Sequence, residues 1–119
     1  MDSHTQHDIT YSELQKLISA NAERYAKKHD VTIDKTFLIL KLMEESGELA
    51  EALLVCDKQC RTRKLKDASE AHTDLENELA DVLGTVLLMA TTFDVDVIAA
   101  LERKTLHKGR KYLNELTDK

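Results

Sequence analysis

The sequence is poor in residues that interrupt helices and in aromatic residues. Its 119 residues include no proline, no tryptophan, three glycines and two phenylalanines. Leucine, alanine, glutamate and lysine dominate instead, which predicts an all-helical chain rather than a fold built on sheets. A chain of this length is expected to form one domain with a hydrophobic core of its own.

An excess of basic residues and long apolar runs are also missing. The net charge of -5 at pH 7 argues against a general nucleic-acid binder, because such proteins are usually basic. The sequence shows no signal peptide and no run of eighteen apolar residues. We therefore expect a soluble, cytoplasmic protein that does not associate with membranes.

Cysteine is nearly absent. Cys56 and Cys60 are the two cysteines of the chain. In a reducing compartment two thiols are most simply free. A zinc site would need two more good ligands nearby, and the sequence offers none.

The polar and apolar pattern predicts a tail followed by four helices. Residues 1–9 form the flexible N-terminal tail, in which His4 and His7 are more readily explained as part of a disordered end than as metal ligands. Residues 10–116 form the single helical domain. Thr10 and Glu13 fit a capping box at the start of the first helix. Three of the predicted helices span residues 10–28, 35–55 and 97–116. The third in chain order starts between residues 69 and 74 and ends near residue 92.

Short links between four helices predict an antiparallel four-helix bundle. The longest link, residues 57–67, is rich in lysine and arginine. Two interpretations of this link stay open: a solvated loop, and a lid that contacts phosphates.

Two short acidic pairs interrupt otherwise apolar helical stretches. Glu45 and Glu48 form the first pair, and Glu78 and Asp81 form the second. Residues three or four apart share one face of a helix, so each pair lies on one face. The predicted buried stripe of the second helix runs through Leu38, Leu42, Glu45, Leu49 and Ala52. That of the third runs through Leu75, Leu79, Val82, Val86 and Ala90, with the acidic pair at its border.

These acids have no obvious counter-charge in the sequence around them. Residues 42–54 contain no lysine or arginine, and the acids between Lys66 and Arg103 have none among them either. Two like charges about 6 Å apart repel by roughly 3 kcal/mol at an effective dielectric near 20. We therefore expect either protonated carboxyls or a bound cation, and oxygen ligands of this kind suit Mg²⁺ or Mn²⁺. The alternative is that the acids simply face solvent.

The last predicted helix carries the largest concentration of basic residues. Lys104, Lys108 and Lys111 share one of its faces with His107. This face is either a solvated helix end that suits the helix dipole, or a phosphate-binding surface beside the acids.

The combination of Glu45-Ser-Gly-Glu48-Leu-Ala-Glu51 with Glu78-Leu-Ala-Asp81 resembles the all-α nucleotide pyrophosphohydrolases, the superfamily of MazG and the dCTP pyrophosphatases. The resemblance covers roughly residues 9–112. It implies a MazG-like bundle in which the four acids hold Mg²⁺, with Mn²⁺ as a substitute. It also implies hydrolysis of a nucleoside or deoxynucleoside triphosphate to a monophosphate and pyrophosphate, with Glu45 or Glu48 activating water.

The resemblance carries further expectations about substrate and assembly. Lys104, Lys108 and Lys111 would bind phosphates, although Lys108 stands where relatives often have asparagine. The absence of tryptophan leaves no basis for dCTP specificity. A homodimer or homotetramer is expected, and nucleotide-pool housekeeping is the expected role.

Other functions are compatible with parts of the pattern. A phosphoribosyl-ATP pyrophosphohydrolase-like enzyme would use the same chemistry, and a non-catalytic helical interaction module would explain the amphipathic helices alone. A di-iron carboxylate bundle would use Glu-x-x-His motifs. That motif does not occur in this sequence, which argues against iron.

Overall fold

The computed structural model describes residues 8–60 and 64–117. It contains α1 (Tyr11–His29), α2 (Lys35–Cys56), α3 (Ala68–Thr92), α4 (Val97–Leu101), a π-helical turn (Glu102–Leu106) and α5 (His107–Thr117), and these described ranges contain no strand. The predicted all-α class is therefore confirmed. Residues 1–7 of the predicted tail, with both of its histidines, lie outside the described residues.

A short polar side chain precedes each of the helices α1 to α4 and caps its first turn. The Thr10 hydroxyl accepts a hydrogen bond from the Glu13 amide at 3.1 Å, and Asp34 accepts one from the Phe37 amide at 2.8 Å. Asp67 and Asp96 cap α3 and α4 in the same way. These bonds satisfy amides that have no partner inside the helix, which explains why the predicted starts fall close to the observed ones.

The α2 and α3 helices form the main packed pair and run antiparallel. At one end the Cys56 thiol donates to the carbonyl oxygen of Ala71 at 3.2 Å. At the other end the Lys35 ammonium lies 5.7 Å from the centre of the Phe93 ring. The core between the helices includes Leu38, which is only 1% exposed. This pairing brings the middle of each helix, where the acids lie, to the same level.

The α1 helix also packs against α3, but less closely than α2 does. The Gln15 amide donates to the Thr91 hydroxyl at 3.4 Å. Leu17 on the same helix is 62% exposed and Tyr25 is 38% exposed. They line a cavity instead of packing in a closed core.

The α4 helix, the π-helical turn and α5 form one continuous C-terminal helix, Val97–Thr117, which points away from the other three helices. It is bent by 113° from α3, and within the part of the chain that is described it makes only isolated contacts with α1, α2 or α3. Glu102 and Arg110 form an ion pair across its π-helical turn. The four predicted helices are thus present, and three of them pack together within one chain.

Large apolar side chains stay exposed on several helices. Leu40, Met43, Leu83 and Leu113 are each between 58% and 68% exposed. Among the described residues no single helix is long and apolar enough to cross a membrane; α3 and the C-terminal helix satisfy that test only as a bent pair.

One predicted stripe needs correction. On α2, Leu38, Glu45 and Ala52 are buried as expected, but on α3 Leu79 is 52% exposed. The buried residues of α3 are Ala71, Leu87 and Ala90. Of these three, Ala90 belongs to the predicted stripe, whereas Ala71 and Leu87 do not.

Candidate metal centre and the cavities beside it

Three of the four predicted acids meet between α2 and α3. Glu45 comes from α2, and Glu78 and Asp81 come from successive turns of α3. One carboxylate oxygen from each lies within 4.8 Å of the other two. We call these three residues the acidic triad. The distances between these carboxylate oxygens are short enough for one ion to contact all three side chains.

The triad contains oxygens that nothing in the described protein satisfies. Glu45 is 6% exposed, and its Oε2 atom has no hydrogen-bond partner. The Oε2 atom of Glu78 is likewise buried without a partner. Buried polar atoms are normally paired, so these two oxygens indicate a ligand that the protein itself does not supply.

The same burial changes the acidity of Glu45. Removal of the carboxylate from water raises its pKa, and the nearby negative charges of Glu48 and Asp81 raise it further. A hydrogen bond from Lys41 acts in the opposite direction. A positive ion among the three acids would relieve both the desolvation and the repulsion.

Lys41 corrects the expectation that the acids lack a counter-charge. Its ammonium group lies 3.0 Å from Glu44 Oε1 and 3.4 Å from Glu45 Oε1. The hydrogen bond with Glu44 is the main reason why the pKa of Lys41 is raised. Lys41 stands just before the acidic stretch, four residues from Glu45, so one lysine partly compensates a triad of three carboxylates.

Glu48 lies outside the triad. It is exposed, although its charge is close enough to raise the pKa of Glu45. The structure therefore brings together Glu45, Glu78 and Asp81 and leaves Glu48 beside them, where it is accessible to solvent.

The donor set of the triad fits a hard divalent cation. All three groups offer carboxylate oxygens, which suit Mg²⁺ or Mn²⁺, and no sulfur or imidazole belongs to the cluster. The two unpartnered oxygens are the observation that favours this fit. Glu45, Glu78 and Asp81 would hold the ion.

A cavity of about 470 Å³ opens on one side of the triad, and we call it the aromatic cavity. Glu45 and Asp81 form part of its wall. The Tyr25 ring stands in this wall with its centre 4.4 Å from that of His29 and 6.3 Å from that of Phe37. The full lining comprises Leu17, Ile18, Asn21, Ala22, Tyr25, Ile33, Phe37, Leu38, Lys41, Glu45, Ala80, Asp81, Gly84, Thr85 and Leu88.

A second cavity, of about 530 Å³, lies further along the α2–α3 pair, and we call it the lysine cavity. Glu78 of the triad and the exposed Glu48 form part of its wall. Two lysines from the connector between α2 and α3 complete it. The full lining comprises Glu48, Glu51, Ala52, Val55, Lys64, Leu65, Lys66, Asp74 and Glu78.

The basic residues of the C-terminal helix have a different place. Lys104, Lys108 and Lys111 are exposed and line neither cavity. Their role in phosphate binding stays a prediction, as does the role of the connector as a lid. Arg61 and Arg63 of that connector lie outside the described residues.

The sequence matches a known domain over most of this arrangement. A family model described as the MazG nucleotide pyrophosphohydrolase domain matches residues 34–110. The chain belongs to the MazG family. The match runs from the start of α2 into α5 and so includes the triad, Glu48 and both connector lysines of this MazG domain. Comparison with curated protein sequences gives no significant match.

Membership in this family gives the MazG domain a broad chemical class. The family acts on nucleoside triphosphates as a hydrolase, typically with a metal, and the triad of this chain is a buried acidic cluster that could hold one. The aromatic cavity borders the triad at Glu45 and Asp81, and the lysine cavity borders it at Glu78. The triad therefore lies between two recesses that are lined by different side chains.

The sequence did not predict Lys41 as part of the site, nor the ion-pair partners of Lys64 and Lys66. Lys41 had a local signal, since a lysine four residues before a glutamate forms a helical ion pair. Lys64 and Lys66 bind Glu51 and Asp74, which are thirteen and eight residues away, and no helical spacing rule predicts such pairs.

Proposed function

We propose that the chain hydrolyses nucleoside or deoxynucleoside triphosphates to monophosphates and pyrophosphate, with Mg²⁺ as the cation and Mn²⁺ as a substitute. The observation that carries this proposal is the pair of buried, unpartnered oxygens on Glu45 and Glu78, in a cluster with Asp81 at the border of two cavities. A MazG domain provides the reaction class. A cytoplasmic location and a role in nucleotide-pool housekeeping are part of the same proposal.

A bound divalent cation would neutralise negative charge on the phosphate oxygens as the bond breaks. The protein groups then divide the remaining work. Glu45, Glu78 and Asp81 hold the ion, and Glu48, which is exposed beside them, accepts a proton from the attacking water. The water oxygen bonds to the α-phosphorus, the bond from that phosphorus to the bridging oxygen breaks, and pyrophosphate leaves with the bridging oxygen.

The aromatic cavity is the proposed place of the nucleoside. Tyr25 offers a partly exposed ring on which a base can stack, and such stacking tolerates every base. Asn21 lines the same cavity and supplies amide groups that can hydrogen-bond a base edge. This arrangement favours a nucleotide over inorganic polyphosphate as the substrate.

A homo-oligomer is also part of the proposal. Leu40, Met43 and Leu83 are exposed by 58–68% in one chain, and apolar surface of this kind is commonly buried between subunits. A dimer or tetramer would cover it.

The test is release of pyrophosphate from a panel of nucleoside and deoxynucleoside triphosphates, with and without Mg²⁺. We expect metal-dependent formation of pyrophosphate and monophosphate. Glu78→Gln and Asp81→Asn should each lower kcat/KM by at least a hundredfold, which corresponds to about 2.7 kcal/mol. Glu76→Gln is the matched control, because Glu76 is exposed on the same helix and lines neither cavity.

Two results would overturn the proposal: turnover that persists without any divalent cation, or full activity when the triad acids are replaced. Release of orthophosphate in place of pyrophosphate would mean that a different bond is cut. Exclusive turnover of phosphoribosyl-ATP would assign the chain to the related enzyme with that substrate.

A further inference from the structure

The lysine cavity has a composition that the metal centre alone does not explain. Its wall carries Lys64 and Lys66 from the connector, which place two ammonium groups in a recess that begins at Glu78 of the triad. Among the described residues, the wall of the aromatic cavity contains a single lysine, Lys41, together with several aromatic and aliphatic side chains. The two recesses beside the triad thus differ in charge and in apolar character.

Both connector lysines are held by exposed ion pairs. The Lys64 ammonium lies 2.7 Å from Glu51 Oε1, with side chains that are 48% and 57% exposed. Lys66 pairs with Asp74, and these side chains are 42% and 37% exposed. Exposed pairs of this kind contribute little to stability, so either lysine can exchange its carboxylate for a ligand oxygen at small cost.

The direction of the substrate follows from the positions of the cavities. When the α-phosphorus is at the triad and the nucleoside is in the aromatic cavity, the β- and γ-phosphates extend away from that cavity. The lysine cavity borders Glu78 on α3 and Glu48 on α2, the next turns beyond Asp81 and Glu45. The phosphates would therefore enter the recess that contains the two connector lysines.

We propose that Lys64 and Lys66 bind the pyrophosphate end of the substrate, exchanging Glu51 and Asp74 for phosphate oxygens when the triphosphate enters the lysine cavity. This inference rests on the proposed function, and it adds a site for the leaving group. Each ammonium group would donate charge-assisted hydrogen bonds to phosphate oxygens. The four carboxylates of the cavity wall repel free pyrophosphate, so the bound form is its magnesium complex.

The test is binding of inorganic pyrophosphate in the presence of Mg²⁺, measured by isothermal titration calorimetry on the full chain. Lys64→Gln and Lys66→Gln should each weaken the affinity by about tenfold, because each removes a hydrogen bond to a charged group. Binding of a nucleoside monophosphate should stay within twofold of that of the wild type. Lys64→Arg should retain most of the pyrophosphate affinity, because it keeps the charge.

Two controls separate phosphate binding from other effects. Lys58→Gln removes a charge from the same connector at an exposed residue that lines neither cavity, and it should leave the pyrophosphate affinity unchanged. Glu51→Gln removes the protein partner of Lys64 and keeps the lysine. Glu51→Gln should leave the pyrophosphate affinity equal or stronger. If Lys64 served only to hold the connector in place through Glu51, Glu51→Gln would lose as much pyrophosphate affinity as Lys64→Gln.

The inference would be overturned if the Lys64→Gln Lys66→Gln double variant bound pyrophosphate within twofold of the wild-type affinity. A loss in Glu51→Gln equal to that in Lys64→Gln would overturn the assignment of Lys64. Triphosphate turnover by the wild type decides the proposed function separately. A wild type that cleaves triphosphates while the double variant keeps its pyrophosphate affinity therefore refutes only the lysine assignment.

Discussion

Replacement of Glu45 by glutamine should raise stability without Mg²⁺ and reduce the stabilisation that Mg²⁺ provides. Glu45 is buried and its pKa is raised, chiefly by burial. The folded metal-free protein therefore binds a proton at Glu45 more tightly than the unfolded chain does. The resulting stabilisation is complete below the ordinary glutamate pKa, about 4.3, and disappears as the pH rises through the raised pKa.

The neutral variant does not titrate at this position. Without metal, the free energy of unfolding of the wild type should fall relative to that of Glu45→Gln as the pH rises from 4 to 8. Each pKa unit by which Glu45 is raised corresponds to about 1.4 kcal/mol of this difference. Lys41 keeps its hydrogen bond to Glu44 at 3.0 Å, so the substitution does not leave that lysine unpaired.

Mg²⁺ should offset this difference, because it stabilises the wild type more than the variant. Two charges 4.8 Å apart, which is the upper limit for the oxygens of the triad, repel by about 3.5 kcal/mol at an effective dielectric of 20. A bound cation relieves this repulsion. At a Mg²⁺ concentration 100 times Kd the wild type gains about 2.7 kcal/mol. At roughly 3–5 °C per kcal/mol for this chain length, Tm rises by about 8–13 °C. A tenfold loss of affinity in the variant reduces the gain to about 1.4 kcal/mol.

The assay is thermal unfolding followed by circular dichroism, over a Mg²⁺ series at several pH values. Glu76→Gln is the control for removal of one negative charge from an exposed part of the same helix pair. An equal rise in Tm for the wild type and Glu45→Gln, or no rise in the wild type at any Mg²⁺ concentration, would refute the metal site at the triad.

Three further substitutions test the core, the aromatic cavity and the exposed surface. Leu38→Ala should lower the free energy of unfolding, measured by urea denaturation, by about 2–4 kcal/mol, because it leaves a cavity where the most deeply buried side chain packs. A loss below about 1 kcal/mol would contradict that packing. Tyr25→Ala should weaken the binding of a nucleoside monophosphate by about tenfold, measured by calorimetry, and leave pyrophosphate binding unchanged. Equal losses of affinity for both ligands would contradict the stacking of the base on Tyr25. Met43→Asp should shift the assembly towards smaller species in light scattering, since Met43 is 68% exposed in one chain; an unchanged mass would exclude its face from the interface.

The helices were predictable because their signals are local. Thr10 and Asp96 cap the helices that the sequence places after them. The burial of Glu45 followed from spacing along α2 alone. The predicted stripe of α3 is buried at Ala90 but exposed at Leu79. Periodicity marks the apolar face of a helix, and the packing of neighbouring helices decides which of its residues are covered.

The remaining parts of the site depend on contacts between distant residues. Lys64 meets Glu51 through the path of the connector, and no periodicity encodes that path. The direction of the C-terminal helix depends on the turn at Asp94, where φ is 57°, and on the neighbours that the helix finds. The sequence predicts where the lysines lie along this helix, but it does not predict how far they are from the triad.

The position of the triad between two recesses has a kinetic consequence. Under the proposed reaction, a substrate split at Glu45, Glu78 and Asp81 would leave one fragment in the aromatic cavity and the other in the lysine cavity. Neither fragment has to pass the other on its way to solvent. Under the proposed reaction, monophosphate and pyrophosphate can therefore depart in either order, and each can bind the free enzyme as an inhibitor. A substitution in one recess would then slow the departure of one product and leave that of the other unchanged.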